Sequence, residues 1–545
     1  MTGSELVAAA TRWRDQDPDP ATRAELASLL ERADQGDTAA ESELTDAFAG
    51  ALEFGTAGLR GRLGPGPNRM NRVVVSQAAA ALAAHLHDRG SSGPVVVGHD
   101  ARHNSEVFAR DTAEILTGAG IPVLLFDRAV PTPLVPYLIL QRGCSGGVVV
   151  TASHNPAADN GYKVYLDDGS KIVPPSDSRI AAHLEQIALG SVTDLPRGTG
   201  WETIGTAEIE SYVARAAAQV PEGPRELSWV HTSLHGVGAP IVRAAAAAAG
   251  FPAPIEVAEQ ADPDPDFGTV AFPNPEEPGA IDLALDLARS TQADLVIAND
   301  PDADRCAVAI RRDGDWQMLR GDEVGALLGW DLLRRGVTGT YAASVVSARR
   351  LGQLCEAYHQ PYATTLTGFK WIGRVPGLVF GYEEAIGYCC DPAAVRDKDG
   401  ITAALQVLAL TARLRAEDRT LAELLDELDR GFGVLQTDQL SLRVDDLTLI
   451  TALMARLRAS AAVTLLGQPV SITDLAEGTD DLPPTDALVF TGQDCRVVVR
   501  PSGTEPKLKC YLEVTAPPDD DLTAVRALVR RRLADLRAEV AELLT

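Results

Sequence analysis

Three aspartates that alternate along a short polar stretch are the strongest candidates for metal chemistry. Asp300, Asp302 and Asp304 follow the apolar run Leu295–Ala298, which is typical of a buried strand. In an extended loop (the aspartate loop, residues 299–305) their carboxylates can converge on one hard cation, and without a cation they would repel one another. An EF-hand is excluded because arginines occupy the two positions that require Gly and Glu. The spacing predicts a Mg²⁺ site, with a solvated turn as the alternative.

A serine at the end of another predicted strand is the next candidate. The run Gly146–Val150 is rich in valine and leads into the serine loop, residues 151–156. Pro156 disfavours helix at the residue before it, so Ser153 and His154 are expected in a fixed loop at the carboxyl end of the strand. In open α/β sheets that end binds ligands. The alternative is that Ser153 only caps a turn.

A cluster of cations in a tight turn near the end of the chain is suited to a phosphate. The stretch from Arg500 to Lys509 carries three cations and two hydroxyls around one glycine. Ser502, Gly503 and Thr504 can offer backbone N–H groups while Arg500 supplies a bidentate fork, which together suit a phosphate dianion. Many hairpins carry Ser-Gly-Thr, but the local excess of cations is unusual in a chain of net charge −27.

Two further stretches offer groups for proton transfer and for sugar binding. Lys163 follows the serine loop closely enough to return to it, and beside Arg60 and a metal its pKa could fall far enough to move protons at a sugar hydroxyl. A surface lysine is the alternative. Glu383 and Glu384 lie in a predicted glycine-flanked loop, residues 381–387, and can accept hydrogen bonds from sugar hydroxyls. An acid pair at a helix N-terminus is the alternative for them.

The elements that position these loops alternate between helices and apolar strands, which predicts α/β layers followed by a smaller α+β domain. The pattern restarts twice, near residues 206 and 322. We expect polar helices over 1–50, helices over 76–87, 206–219 and 520–544, and strands over 94–97, 124–126, 228–232, 295–298, 378–380, 495–500 and 507–514.

Composition excludes several classes of protein. The 545 residues are too many for one core and suggest three or four domains. With 49 Lys+Arg against 76 Asp+Glu, the surface repels phosphate backbones, so nucleic-acid binding is not expected. The seven cysteines are scattered and include no Cys-x-x-Cys pair, which fits a reducing cytoplasm. No stretch approaches a transmembrane length, and the first residues lack the apolar core of a signal peptide. We expect a cytoplasmic enzyme without membrane partners.

The four candidate loops together resemble a known family. Residues 151–156, 300–305, 381–387 and 500–506 occur in the order of the α-D-phosphohexomutase superfamily, which comprises phosphoglucomutases, phosphomannomutases and relatives. The similarity covers the chain from about residue 50. Residues 54–61, 367–371 and 396–400 are most similar to the branch that holds phosphoglucomutase-2 and phosphopentomutase.

The resemblance implies three similar α/β domains and a smaller C-terminal α+β domain around a central active-site cleft. The expected bounds are 1–205, 206–318, 319–433 and 434–545. It implies an isomerase that interconverts hexose 1-phosphate and hexose 6-phosphate, glucose before mannose, through a phosphoserine and a bisphosphorylated sugar. A phosphopentomutase is the alternative. One Mg²⁺ per site, a sugar 1,6-bisphosphate activator and a monomer or small homo-oligomer are also expected.

The resemblance also implies the roles of individual residues. Ser153 would be carried as phosphoserine and would bind Mg²⁺ through its phosphoryl group. One departure concerns sugar specificity, because many members have Ser where this chain has Ala385. The implied site residues are Ser153, Lys163, Arg60 and His154 for catalysis, Ser153, Asp300, Asp302 and Asp304 for the metal, and Arg305, Gly368, Phe369, Lys370, Glu383, Arg500, Ser502, Gly503 and Thr504 for the substrate.

Four other activities fit the same residues less well. An aspartate-based phosphatase requires Thr or Val at the position of Asp304 and leaves the serine loop unexplained. An alkaline-phosphatase-like hydrolase would need more histidines near the acidic cluster. A Ser-His hydrolase is not expected, because adjacent residues seldom place the imidazole on the neighbouring hydroxyl and no Gly-x-Ser-x-Gly elbow is present. A non-catalytic sugar-phosphate sensor would be expected to lose Ser153 or one aspartate.

Overall fold

Buried β-branched strands carry the serine loop in a mixed six-stranded sheet. Its order is β1 (Leu59–Arg62), β5 (Asp159–Leu166), β4 (Gly146–Val150), β2 (Val95–His99), β3 (Val123–Phe126) and β6 (Glu202–Ile204). Strands β4, β2, β3 and β6 run parallel, and β5 is antiparallel to both β4 and β1. Every residue of β2 and β4 is buried, as continuous apolar runs in parallel sheets predict.

The structure, a computed structural model, describes residues 3–56, 58–444, 447–460, 463–502 and 507–544. It comprises two units, each made of two separate stretches of the sequence. Unit 1 contains residues 1–307 and 393–405, and unit 2 contains residues 308–392 and 406–545.

Unit 1 contains the predicted polar helices, the sheet of the serine loop and a second sheet. In the second sheet three parallel strands follow the order β9-β7-β8 (Leu295–Ala298, Trp229–Thr232 and Ile255–Glu256), and β9 leads into the aspartate loop. The helices are α1 Gly3–Gln16, α2 Pro20–Asp34, α3 Thr38–Ala47, α4 Arg72–Asp88, α5 Ser105–Gly118, α6 Leu134–Arg142, α7 Ser176–Ile187, α8 Thr206–Ala218, α9 Ala239–Ala248, α10 Ala258–Ala261 and α11 Asp282–Thr291, with a 3₁₀ turn at Val192–Asp194.

Unit 2 contains a hairpin and two sheets. The hairpin is β10 (Ala307–Arg312) with β11 (Asp315–Met318), and the first sheet has the order β13-β12-β14-β15 (Tyr362–Thr365, Thr340–Ser344, Leu378–Glu383, Gly387–Cys389). The second sheet is antiparallel, with the order β16-β21-β20-β19-β18-β17 (Val434–Arg443, Lys507–Ala516, Cys495–Pro501, Leu488–Thr491, Gln468–Asp474, Val463–Leu465). Six of its helices are α12 Gly321–Arg334, α13 Arg350–Ala357, α14 Phe369–Ile372, α16 Leu421–Phe432, α17 Leu447–Ala459 and α18 Leu522–Leu544. Helix α15, Gly400–Ala416, begins in unit 1 and continues into unit 2.

The sequence predicted strand interiors well and element ends less well. Strands β4 and β9 have the predicted bounds, because a polar residue or a turn follows each apolar run directly. The prediction that helix α4 begins at residue 76 is wrong, because the side chain of Asn71 accepts from Val74 N–H and caps a helix that begins at Arg72. The prediction of a loop over 381–387 is also wrong. Strand β14 continues to Glu383 and β15 begins at Gly387, which leaves a tight turn between them.

A glycine lets the backbone of the aspartate loop pack closely on the chain that follows β7. A Cβ atom on Gly236 would lie 2.3 Å from both the Cα and the carbonyl oxygen of Pro301. The next amide, Val237 N–H, donates to the same carbonyl at 2.8 Å. Neither group is a flexible side chain, so a methyl group at position 236 would have to displace the aspartate loop.

We therefore expect Gly236→Ala to lower the free energy of unfolding of unit 1 by about 1–3 kcal/mol, as overpacking does. Gly50→Ala is the control, because Gly50 is exposed and a Cβ there would meet nothing within 4 Å. That change should stay within about 0.5 kcal/mol. Differential scanning calorimetry of both variants measures the effect, and equal melting temperatures would contradict the close packing at Gly236.

Candidate active site

Ser153 lies directly after β4 in a backbone conformation that few residues other than glycine adopt. Its φ angle is +54°, and its side chain is buried. The Ser153 N–H donates to Thr151 Oγ1 at 2.8 Å, and the Ser153 Oγ donates to Asp300 Oδ2 at 2.8 Å. A left-handed conformation costs a non-glycine residue about 1–2 kcal/mol, and such strain concentrates at functional sites. The loop therefore directs a buried hydroxyl toward a carboxylate.

The three aspartates of the aspartate loop converge as the sequence predicted. One carboxylate oxygen from each of Asp300, Asp302 and Asp304 lies within 4.8 Å of the others, and all three side chains are buried. The loop is closed by the Arg305 N–H, which donates to Asp300 Oδ1 at 3.0 Å, and by Thr132, whose Oγ1 donates to Asp302 Oδ2 at 2.5 Å. Three buried oxygens at this spacing form a set that a small hard cation can bind.

Two carboxylate oxygens of the cluster are buried without a hydrogen-bond donor among the described residues, which supports the binding of a cation. Asp302 Oδ1 and Asp304 Oδ1 are buried and accept no hydrogen bond from the residues that the structure describes. Buried oxygens of ionised carboxylates are seldom left without a partner, because their desolvation is costly. The oxygen donor set and these two oxygens fit a divalent cation such as Mg²⁺.

The pKa values of the aspartates in the cluster are shifted in different directions. Burial and the charges of Asp302 and Asp304 raise the pKa of Asp300 well above its usual value. Burial alone would also raise the pKa of Asp304, but Lys163 and Lys398 hold that pKa well below its usual value. The cations among the described residues therefore compensate part of the cluster, and Asp300 is the carboxylate that they compensate least.

Lys163 reaches the aspartates, but its predicted pKa shift is wrong. It lies on β5, and its Nζ donates to Asp302 Oδ2 at 2.5 Å and to Asp304 Oδ2 at 2.9 Å. Burial would lower the pKa of Lys163, but the two carboxylates outweigh burial and raise it above the usual value. In this arrangement Lys163 is a cation that neutralises the cluster.

Arg60 lies on the same face of the sheet as Lys163. It pairs with Gly161 across β1 and β5, and directly opposed residues of antiparallel strands point to the same side. Residues 161 and 163 share that side because side chains alternate along a strand. The Arg60 Nη1 donates to Asn155 Oδ1 at 3.0 Å, which brings the guanidinium to the serine loop.

His154 contacts the neighbouring serine, contrary to the expectation for adjacent residues. Its Nδ1 lies 3.3 Å from Ser153 Oγ. Burial lowers the pKa of His154 well below its usual value, and the nearby charges of Arg305 and Arg60 lower it further. A neutral imidazole therefore lies beside the serine hydroxyl, while the shorter hydrogen bond of that hydroxyl goes to Asp300.

Sequence reasoning missed one cation of the cluster. Lys398 lies in the quoted stretch 396–400 but received no role, and the structure places its Nζ 3.2 Å from Asp304 Oδ2. Behind it, Asp397 is buried and bonds to Tyr165 and Lys171 at 2.7 and 3.0 Å. The available signal was two aspartates around one lysine, but so charged a stretch is also typical of a solvated turn. Arg305, a predicted substrate ligand, lies 3.8 Å from Asp300 Oδ2.

In unit 2 the predicted sugar-binding stretches contact each other. The Gly368 N–H donates to Glu383 Oε1 at 2.7 Å, and Gly368 has a φ angle of +109° that favours glycine. Glu384 Oε2 lies 3.3 Å from Ser344 Oγ and 3.4 Å from Ser347 Oγ. The two glutamates therefore differ, since Glu383 orders the glycine turn and Glu384 faces two hydroxyls.

The two residues after Gly368 have different exposures. The side chain of Phe369 is 2% exposed and packs in a small core with Ala342, Ile372 and Cys389. The expectation that Phe369 contacts a sugar is therefore restricted to its backbone. Lys370 is intermediate in exposure, and its Nζ lies 5.9 Å from the centre of the Trp371 ring.

The predicted phosphate loop joins β20 and β21. Arg500 is paired with Lys509 across these strands, and the Ser502 N–H donates to the Lys507 carbonyl at 2.8 Å. Two cations therefore lie side by side near the ends of these strands. Gly503 and Thr504, which were predicted to offer N–H groups, lie outside the described residues.

Four family models match this chain in sequence order, and together they cover most of it. They are the phosphoglucomutase/phosphomannomutase α/β/α domains I, II and III and the C-terminal domain of the same family, matched over residues 51–190, 210–314, 320–430 and 441–541. The chain belongs to the phosphoglucomutase/phosphomannomutase family. Its fold is the predicted one of three α/β domains and a C-terminal domain.

Curated relatives of this chain carry names that refer to different sugars. It is 44% identical over 84% of its length to a Haemophilus influenzae protein named "Probable phosphomannomutase", of which the match covers 96%. It is 35% identical to a human phosphopentomutase, over 88% of this chain and 87% of that one. It is 33% identical to a human glucose 1,6-bisphosphate synthase, over 98% and 94%. The protein is an isomerase of the phosphosugar mutase type.

Among the helices that the structure describes, none is both long and apolar enough to cross a membrane.

We expect the aspartate loop to bind one divalent cation per chain, and Asp300→Asn to weaken that binding at least tenfold. Asp300 is suited to this change because its nearest ion-pair partner among the described residues is Arg305, at 3.8 Å. The neutral amide therefore leaves the ion pairs of Lys163 and Lys398 intact. Asp262→Asn, in an exposed acidic run, is the control. Isothermal titration with Mg²⁺ measures both, and equal affinity in the two variants would show that the cation binds elsewhere.

Proposed function

We propose that this enzyme interconverts glucose 1-phosphate and glucose 6-phosphate through a phosphoserine at Ser153 and a bisphosphorylated intermediate. The observation that carries the proposal is the hydroxyl of Ser153, which is held in a left-handed loop 2.8 Å from a carboxylate of the three-aspartate cluster. Phosphoryl transfer requires a protein to position the reacting groups and to neutralise their charge, more than to supply covalent chemistry. The cluster, its lysines and the serine loop supply both.

In the first step the phosphoryl group leaves Ser153 Oγ and bonds to the O6 hydroxyl oxygen of glucose 1-phosphate. The bond between Oγ and phosphorus breaks, and the proton of O6 passes to a basic group of the site. The bisphosphate then turns around. In the second step the phosphoryl group on O1 returns to Oγ, the bond between O1 and phosphorus breaks, O1 takes up the proton that the site received from O6, and glucose 6-phosphate leaves. Arg60 and Lys163 are assigned to these proton transfers, as the family resemblance implies.

The chain's own charges prepare the site for these steps. Asp300, Asp302 and Asp304, with the phosphoryl group on Ser153, would hold Mg²⁺, which neutralises charge on the group in transfer. Lys163 is held by Asp302 and Asp304, within reach of the same loop. Arg305 adds a guanidinium on the aspartate loop itself. His154, as a neutral imidazole beside Oγ, orients the hydroxyl without adding charge.

Substrate recognition is assigned to stretches of unit 2. Gly368, the backbone of Phe369, Lys370 and Glu383 are assigned to the sugar. The hydrogen bond from the Gly368 N–H to Glu383 Oε1 places the two stretches side by side. A carboxylate that already accepts one N–H retains other lone pairs for sugar hydroxyls.

The phosphate that does not react is assigned to the turn between β20 and β21. Arg500, Ser502, Gly503 and Thr504 bind it, because the cations near the ends of these strands suit a dianion. A single such turn would serve both orientations of the bisphosphate.

The remaining expectations are part of the same proposal. The domains are bounded at 1–205, 206–318, 319–433 and 434–545, and the matched family ranges support these bounds. We also propose a cytoplasmic location, a monomer or small homo-oligomer, and activation by a sugar 1,6-bisphosphate. The relative named as a glucose 1,6-bisphosphate synthase supports a site that accommodates this bisphosphate.

The test compares kcat/KM for the 1-phosphates of glucose, mannose and ribose, with glucose 1,6-bisphosphate as activator. We expect glucose 1-phosphate to be the best substrate and at least one other to react measurably. Ala385 removes one hydroxyl contact that the family resemblance implies, and a site with fewer such contacts discriminates less. Ser153→Ala should abolish turnover of all three, whereas Ser178→Ala, at an exposed helical serine, should retain it.

Two outcomes would change this assignment. A tenfold lead for ribose 1-phosphate, about 1.4 kcal/mol of transition-state binding, would make the enzyme a phosphopentomutase, as the human relative is named. Full turnover by Ser153→Ala would exclude the phosphoserine mechanism for every sugar.

A further inference from the structure

One buried arginine binds three backbone carbonyls of the serine loop and one carbonyl just after it. The Arg102 Nη2 donates to the carbonyls of Ser153 and Asn155, both at 2.6 Å. Its Nη1 donates to the carbonyls of Pro156 and Asp159, at 2.8 and 3.2 Å. A planar guanidinium presents its donors in a fixed fork, so these four contacts fix four carbonyl positions relative to one another.

The guanidinium is itself held in place from its own loop. Its Nε forms an ion pair with Asp100 Oδ2 at 3.2 Å, without hydrogen-bond geometry, and both side chains are 1% exposed. Asp100 is in turn ordered by the Arg102 N–H and by Ser105 Oγ, which donate to its Oδ1 at 3.0 and 2.6 Å. A buried cation with this many matched acceptors has little freedom to move, because each lost contact would leave a buried polar atom without a partner.

An aromatic ring from another loop covers the guanidinium. Phe267 is 3% exposed, and the Arg102 Cζ lies 4.7 Å from the centre of its ring, which is cation–π geometry. Phe267 has a φ angle of +50° and follows the acidic run 262–266. In the structure Asp264 accepts from the N–H groups of Asp266 and Gly268, so the run forms the turn that presents this ring.

We propose that Arg102, covered by Phe267, is a positioning residue for phosphoryl transfer. By binding the carbonyl of Ser153 and those of its neighbours, it maintains the left-handed conformation that directs the Ser153 Oγ to the aspartates. Arg102 touches no reacting atom and acts through the backbone of the nucleophile. The inference rests on the proposed phosphoserine mechanism and adds to it a residue outside the four loops that carry the family resemblance.

The decisive variant is Arg102→Lys, with Arg110→Lys as the matched control. Lysine keeps the charge but presents its donors from one atom, so it cannot span four carbonyls. Arg110 is exposed on α5 and pairs with Glu106 on the same helix, so the same exchange there should be silent. We expect Arg102→Lys to lower kcat about 100-fold, as a misplacement of about 1 Å does, with KM changed less than about threefold.

Two measurements that do not depend on turnover accompany the kinetics. Hydrogen exchange of the amides over 151–160 should become faster in Arg102→Lys and not in Arg110→Lys. The ³¹P resonance of phosphoserine, after treatment with glucose 1,6-bisphosphate, should move or broaden in the first variant only. A variant that unfolds at a lower temperature yet retains kcat and an unchanged ³¹P resonance would show a purely structural role and overturn the proposal.

Phe267→Leu keeps the inference testable if Arg102→Lys fails to fold. It leaves the guanidinium and its carbonyl contacts in place and removes only the aromatic face, so we expect a smaller loss of kcat, about threefold. Unchanged kcat in Phe267→Leu would then overturn the proposal. If wild-type protein turns over no sugar phosphate, the proposed function fails. If wild type is active and Arg102→Lys equals it, only the positioning role fails.

Discussion

The burial of three carboxylates in one short loop is the constraint on which the rest of unit 1 depends. Ionised carboxylates that are taken out of water must be paired, coordinated or protonated. Lys163 on β5 and Lys398 in the stretch 396–400 supply positive charge, and each forms an ion pair with Asp304. The pKa of Asp300 is raised well above its usual value, so this carboxylate is the one that the lysines leave least compensated. It is also the carboxylate that accepts from Ser153 Oγ.

The uncompensated charge of Asp300 therefore lies at the position where phosphoryl transfer is proposed. A dianionic phosphoryl group on Ser153 would lie beside Asp300, the aspartate whose negative charge the lysines compensate least. Its binding there therefore requires additional positive charge. A divalent cation on the aspartates and the guanidinium of Arg305 are the means that this chain offers. The backbone strain at Ser153 fits the same account. A left-handed residue persists only where its surroundings determine it, and Arg102 holds the carbonyls around it.

The sequence predicted functional residues that directly follow a strand. It did not predict contacts between residues that are distant in the sequence. Strand β9 and its three aspartates were predictable, because an apolar run ends in alternating acids that can converge only in a loop. The pKa of Lys163 was predicted in the wrong direction, since its carboxylate partners outweigh burial only once β5 is packed against the aspartate loop. The role of Lys398, the burial of Phe369 and the four carbonyl contacts of Arg102 depend on tertiary packing that no local pattern encodes.

The central claim is that Ser153 passes its phosphoryl group to the sugar in every turnover. Enzyme labelled with ³²P on Ser153 should be mixed with excess unlabelled glucose 1-phosphate and quenched within one turnover. The account predicts that the label leaves Ser153 at least as fast as kcat and appears on O6 of the bisphosphate and of glucose 6-phosphate. Label that stays on Ser153 while glucose 6-phosphate accumulates would contradict it.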